Sequence, residues 1–174
     1  NVENLFDTID EPGKDDAEFL PESEKKWNGK RYAKKLEDLS NVLGSVNETD
    51  LPEIIGLCEV ENRKVVTDLT ETGKLASGKY RVVHYDSPDL RGIDCALIYR
   101  PGEFKLTGSF PIRVTFKDEP HHKTRDILYV KGRTRNREEF HIFVNHWPSR
   151  IGGQEETEPN RVDVAMLLRS KIDS

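Results

Sequence analysis

The sequence predicts a layered α/β fold, and three observations predict it. Apolar patterns run along the chain in the order helix, strand, helix, several strands, helix. The helical patterns are one-sided, so each needs a sheet face to cover. The late strand-like runs follow one another through short Gly- and Pro-punctuated turns, so much of that sheet is antiparallel or mixed.

Each element has its own signal. Residues 8–29 are acidic and polar and contain Pro12, Gly13, Pro21 and Gly29, a long loop of the kind that is often functional in compact domains. Residues 30–46 place Tyr32, Leu36, Leu39, Leu43 and Val46 at helical spacing, which predicts an amphipathic helix. After Pro52, the run EIIGLCEV reads as a buried strand, and residues 62–72 as a second, shorter helix. Strand-like runs follow at 80–85 (YRVVHY), 94–99 (DCALIY), 104–116, 126–130 (DILYV) and 139–144 (EFHIFV). Pro159 suits the first turn of a last helix, with Val162, Ala165, Leu168 and Ile172 on its inner face.

Length and composition set the bounds. The chain has 174 residues, enough for one domain with a sizeable core, with 34% charged and 34% hydrophobic residues. No apolar run approaches the ~18 residues that span a bilayer. The formal charge of −5 argues against a constitutive, charge-driven nucleic-acid binder. It leaves room for a nuclease whose metal ion supplies local positive charge. Cys58 and Cys95 both sit in apolar runs and read as buried free thiols rather than a disulfide, so they say little about compartment. The chain starts at Asn1 without a methionine or a signal sequence, so an upstream segment is expected to be missing. Extracytoplasmic and cytoplasmic locations both stay open.

Polar residues collect where strands end, which is where α/β folds place sites. LCEVEN ends a strand on Glu59, Glu61 and Asn62; SPDLRGIDCALIY opens one with Asp89, Arg91 and Asp94. HHKTRDILYV opens another with Arg125 and Asp126, FVNHWPSR ends one on Asn145, His146 and Arg150, and Asn1, Glu3 and Asn4 precede Leu5 and Phe6. Taken singly, these residues have bland readings. Glu59 reads as a solvated rim carboxylate, Arg91 and Arg125 as surface ion-pair partners, and His146 equally as a packed histidine or a functional one. His121 and His122 lie in a polar loop and read as solvated. No segment shows the Cys/His spacing of a zinc site or the Gly-rich loop of a nucleotide site. The combination is more telling. A carboxylate for a hard cation, a histidine and two arginines make a coherent set for phosphoryl transfer.

The motifs NVENLFD, IIGLCEVEN, SPDLRGIDCALIYRP and VNHWPSR, in that order, resemble the endonuclease/exonuclease/phosphatase superfamily, and most closely its bacterial branch. The resemblance runs over residues 1–170. It implies a four-layer α/β sandwich: two mixed β-sheets face to face, with helices outside. It also implies roles. Glu59 matches the metal-binding glutamate, for Mg²⁺ or Mn²⁺, and Asn1 matches an asparagine near the metal and the scissile phosphate. His146 matches the first of two active-site histidines, and Arg125 a phosphate-contacting arginine. Arg91 and Asp94 fall among the other active-site residues, and Asn145 and Arg150 are candidates for the substrate phosphate.

The family's later motifs, a Gly-Asp-x-Asn, a further aspartate and a C-terminal Asp-His pair, do not occur after His146. Residues 1–174 therefore read as the N-terminal part of one such domain, with the C-terminal half absent and no activity of its own. An inner sheet face left bare, carrying IIGLCEV, CALIY and HIFV, would make the piece self-associate. For the parent protein the expected activity is metal-dependent hydrolysis of phosphate esters, most simply as a nuclease on DNA or RNA. The alternatives are a phosphatase or phospholipase acting on sugar or lipid phosphates, with Phe19 and Trp27 as loop aromatics for a lipid surface, and a binding domain without chemistry.

Overall fold

The computed structural model describes residues 1–47 and 49–174. Asn28 opens helix α1 (Gly29–Leu43), its side chain accepting the N–H groups of Lys30 and Arg31. Strand β1 (Ile54–Val60) follows, then α2 (Arg63–Thr70), capped by Asn62 through the N–H of Val65. Five more strands build the rest: β2 (Arg81–His84), β3 (Asp94–Tyr99), β4 (Phe104–Ile112), β5 (Ile127–Thr134) and β6 (Glu139–Val144). Helix α3 (Glu158–Ile172) closes the chain, with proline in its first turn.

The strands form two three-stranded sheets, ordered β1-β3-β2 and β4-β5-β6, antiparallel throughout. Among the described residues the parallel component is one bridge, Leu5 with Val60, where the N-terminal segment runs beside β1. Three apolar clusters define four layers. Leu36 of α1 and Val65, Val66 and Leu69 of α2 cover the outer face of the first sheet over Leu57, Ala96 and Ile98. Val83 and Leu97 of the first sheet meet Leu128, Val130 and Val144 of the second between the sheets. Val164, Leu167 and Leu168 of α3 cover Ile127, Tyr129 and Phe143 on the second sheet's outer face. The order is helices, sheet, sheet, helix.

This arrangement corrects the expectation of a bare inner sheet face. Both sheets are contributed by this chain, and their inner faces pack on each other, so IIGLCEV, CALIY and HIFV do not supply a surface for self-association. A second correction concerns α3. Val162 and Ile172 are 50% and 57% exposed, while Val164 is buried. Two apolar stripes compete on this helix, and the one with Val164, Leu167 and Leu168 at i, i+3, i+4 spacing meets the sheet.

A third correction concerns the 8–29 loop. Phe19 stacks on Phe6 with ring centroids 4.1 Å apart, and Trp27 stands edge-on to Phe19 at 6.1 Å. The indole N–H of Trp27 donates to the carbonyl of Phe6 at 3.0 Å. With Ile93 these rings form a fourth buried cluster, worth about 1.5–3 kcal/mol per large side chain. They pin the loop to the body and leave neither aromatic for a lipid surface. Among the described residues, no helix is long and apolar enough to cross a membrane.

Candidate active site

The C-terminal ends of β1 and β6, the entry to β5 and the first residues of the chain meet at one edge of the sandwich. Glu59 is the focus. The β1–β3 register shifts between Cys58 and Val60, and Glu59 takes the left-handed conformation at φ 65°. Such a φ is strained for a residue with a side chain, and such strain concentrates at functional positions. The break turns the carboxylate toward the N-terminal segment.

That segment is fitted to receive it. Val2 N–H donates to the Cys58 carbonyl at 3.0 Å, Leu5 N–H to the Glu59 carbonyl at 2.8 Å, and Glu61 N–H to the Leu5 carbonyl at 3.0 Å. Glu3 and Asn4 are also left-handed, at φ 54° and 62°, which aims the Asn4 N–H back at the carboxylate. The Glu59 Oε1 accepts the side-chain amide of Asn1 at 2.8 Å, and Oε2 accepts the Asn4 N–H at 3.1 Å. His146 Nε2 lies 3.3 Å from Oε1.

His146 comes two residues after β6. Among the described residues its buried Nδ1 has no hydrogen-bond partner, nor has the buried side-chain oxygen of Asn145. Burial, and then the neighbouring Arg125 guanidinium, lower the pKa of His146 from its ordinary value. The ring is therefore held neutral near pH 7, with one donor and one acceptor nitrogen.

Arg125 faces inward; its side chain is only 11% exposed. Nε donates to the His146 carbonyl at 2.9 Å and Nη2 to the Trp147 carbonyl at 3.1 Å. Nη1 reaches Asp89 Oδ2 at 3.3 Å, and the other oxygen of Asp89 accepts the Arg91 N–H at 2.9 Å. Arg91 reaches the Asn4 side-chain oxygen at 3.2 Å, closing the ring back to the N-terminal segment.

Of the residues named from sequence, the structure brings Asn1, Glu59, His146, Arg125 and Arg91 together. Asn145 lies beneath, its amide donating to the Phe143 carbonyl at 3.0 Å. Arg150 is exposed on the following turn, and among the described residues no hydrogen bond or ion pair ties its side chain to the cluster. Asp94 is not at Glu59. It is buried, accepts the Ser87 N–H at 3.0 Å and lies 3.1 Å from His84 Nε2. Ligand atoms of His84, Asp86 and Asp94 lie within 4.8 Å of one another, a group that could hold a metal. Two residues noted at strand ends but given no role, Asp89 and Asn4, carry structural weight. The signal for Asp89 was its place in SPDLRG, two residues before Arg91.

Two kinds of comparison bear on this geometry. The sequence model of the Endonuclease/Exonuclease/phosphatase family matches residues 1–174. The chain belongs to that family. Solved structures agree on the fold. A family protein from Bacteroides thetaiotaomicron superposes with a TM-score of 0.59 at 18% identity, covering 84% of this chain and 54% of that one. The human Nocturnin catalytic domain with bound sulfate anion gives 0.55 at 21% identity, covering 81% and 52%. A family protein from Bacteroides vulgatus gives 0.54 at 15%, covering 78% and 51%. This chain thus spans about half the length of each of these structures. No curated protein matches it.

Proposed function

We propose that this chain carries the metal-holding and phosphate-binding part of a divalent-metal-dependent phosphodiesterase that hydrolyses DNA or RNA, and that residues 1–174 are the N-terminal part of its single catalytic domain. The observation that carries the proposal is Glu59: a carboxylate turned out of its strand by a left-handed residue and held by Asn1, Asn4 and His146. The donor chemistry fits Mg²⁺ or Mn²⁺, which accept one or two carboxylates and complete their shell with water and substrate phosphate. Cys58, the nearest soft donor, points its thiol at the Asn145 carbonyl instead.

In this reading Glu59 holds the metal, and Asn1 stands beside it. When bound, the ion polarises a phosphoryl oxygen and stabilises the leaving oxyanion. His146 is held neutral, and its Nε2, freed from Glu59, donates to a phosphoryl oxygen as charge develops there. Asn1 offers its amide N–H to the same phosphate. Arg125 holds the His146–Trp147 main chain in place and supplies positive potential to the phosphate, and Arg91 does so from the rim. Asn145 and Arg150 are the outer candidates for the substrate phosphate. A nucleic acid is favoured over a small phosphate ester because Lys30, Arg31, Lys34 and Lys35 of α1 line the groove that begins at Asn1 and Glu3.

The test is a metal-dependent activity panel on the full-length protein: plasmid DNA, RNA, a diester dye and inositol phosphates, each with Mg²⁺, Mn²⁺ or chelator. Chelator-sensitive cleavage of DNA or RNA that falls steeply with salt supports the reading. Turnover confined to inositol phosphates moves the substrate to a small or lipid phosphate. Nucleic-acid cleavage at full rate in chelator refutes the metal role.

A further inference from the structure

Cys58 and Cys95 face each other beneath the Glu59 cluster. They are register partners on β1 and β3, both are free thiols, and their Sγ atoms are 4.0 Å apart. Directly opposed residues of an antiparallel pair have Cα atoms about 4.5–5.5 Å apart. A disulfide spans Cα separations of ~4.4–6.8 Å. Closing the sulfur gap to the ~2.05 Å of a bond therefore needs side-chain rotation rather than movement of strands.

Two cysteines in an inter-sheet core can serve simply as small hydrophobes. Cys58 is half-buried, as Ile54, Leu106 and Ile142 of that layer are, so solvent reaches it, whereas Cys95 beside it is buried. The Cys58 thiol also donates to the Asn145 carbonyl at 3.4 Å, linking the residue before Glu59 to the residue before His146.

We propose that Cys58 and Cys95 form an oxidation site, closed by a peroxide to a cross-strand disulfide that loosens the Glu59–His146 cluster. The chemistry balances without any other reactant. The Cys58 sulfur attacks peroxide, an S–O bond forms as the O–O bond breaks, and sulfenic acid and one water result. The Cys95 sulfur then attacks the Cys58 sulfur. The S–S bond forms, the S–O bond breaks, and the departing oxygen leaves as a second water with the Cys95 proton. Each sulfur gives up one electron and the peroxide takes both. Drawing the Cys58 sulfur toward Cys95 removes its bond to the Asn145 carbonyl. It also ties β1 to β3 at the residue where the Glu59 bulge begins. The consequence for metal rests on the proposed role of Glu59. Removing a group that orients a metal ligand typically weakens binding by about 10-fold or more, and a weakening of about 10-fold is expected for Mn²⁺ in the oxidised protein.

The experiment uses the full-length protein, fully reduced and then exposed to hydrogen peroxide. Peptide mapping is expected to find Cys58 cross-linked to Cys95, with both thiols restored by dithiothreitol. Cys95→Ser should stop at a sulfenic acid on Cys58 that dimedone captures, and Cys58→Ser should give no cross-link. Thiols that stay alkylatable after peroxide, or that go to sulfinic acid without a cross-link, overturn the proposal. Mn²⁺ titration separates the two claims. A cross-link that leaves Mn²⁺ affinity unchanged overturns the coupling to the site. Absence of Glu59-dependent Mn²⁺ binding in the reduced protein overturns the metal reading and leaves the oxidation site standing.

Discussion

Arg125 and His146 meet through the main chain: the guanidinium Nε donates to the His146 carbonyl at 2.9 Å across 21 residues of sequence. The side chain that joins β5 to the end of β6 is therefore a strap on the turn that presents the imidazole. Asp89, 4% exposed, anchors it from the other side. Removing the guanidinium leaves a buried carboxylate unpaired and two carbonyls without donors. Arg125→Ala is expected to cost about 3 kcal/mol or more. Arg125→Lys keeps the charge without the fork and should cost about 1–2 kcal/mol. Urea unfolding of the two variants measures this; equal losses would show that the fork contributes nothing beyond its charge.

Glu59→Gln keeps size and shape at the bulge and removes the charge that attracts a cation. In the full-length protein, metal-dependent turnover is expected to be abolished. The fold should survive, because the Gln amide oxygen still accepts from Asn1 or Asn4. Rates like wild type at limiting Mg²⁺, in a protein with an unchanged melting temperature, would sink the assignment.

His146→Ala should lower kcat by roughly 10²-fold, the scale lost with one donor to developing charge. Because the substrate phosphate is also held by other groups, KM should change less. A change confined to KM would mean that His146 binds ground state and transition state alike.

Legibility varied with how local the cause was. β3 and β6 fall at residues 94–99 and 139–144, where the sequence puts them, because alternation and flanking turns are local signals. The inner face of α3 was misread because both stripes are helically periodic and only the sheet chooses between them. Phe19 and Trp27 sit in a polar loop, and nothing within that loop shows that Phe6 and Ile93 wait beneath it. At the site, Glu59, Asn1 and His146 were readable as residue types at strand ends. Their convergence depends on three left-handed residues, Glu3, Asn4 and Glu59, none of them glycine, so no local signal marks the turn. Arg125 is a subtler case, since its partners are backbone carbonyls, which look the same in every sequence.

Gly132 of β5 lies under the Phe104 ring. A Cβ there would come within 2.2 Å of the ring and 2.7 Å of the Lys105 carbonyl. The ring is fully buried and the carbonyl is backbone, so neither yields easily. Gly132→Ala is expected to destabilise by about 1–3 kcal/mol. Gly108 of β4 has open space at the same point, so Gly108→Ala is the control and should be near neutral. Denaturant midpoints read the difference, and equal midpoints would show that the β4–β5 contact is looser than described.

Glu61 gives the chain a pH dependence with a definite sign. The side chain is 3% exposed, and its carboxylate accepts the Asp7 N–H at 2.7 Å. Burial pushes its pKa up to about 8 against that hydrogen bond, and the negative charges of Asp7, Glu11 and Asp16 add to the rise. In the unfolded chain the same group titrates near its ordinary value of 4.5. Between these two values the folded protein binds more protons than the unfolded one, so stability falls as pH rises. The slope from this one group is at most about 1.4 kcal/mol per pH unit, reduced by water and salt. Glu61→Gln keeps the acceptor for Asp7 and cannot ionise. Its unfolding midpoint should therefore lack the decline that Glu61 imposes on the wild type, the difference between the two curves growing progressively from pH 5 to about 8. Parallel curves for the two proteins would place the titrating group elsewhere.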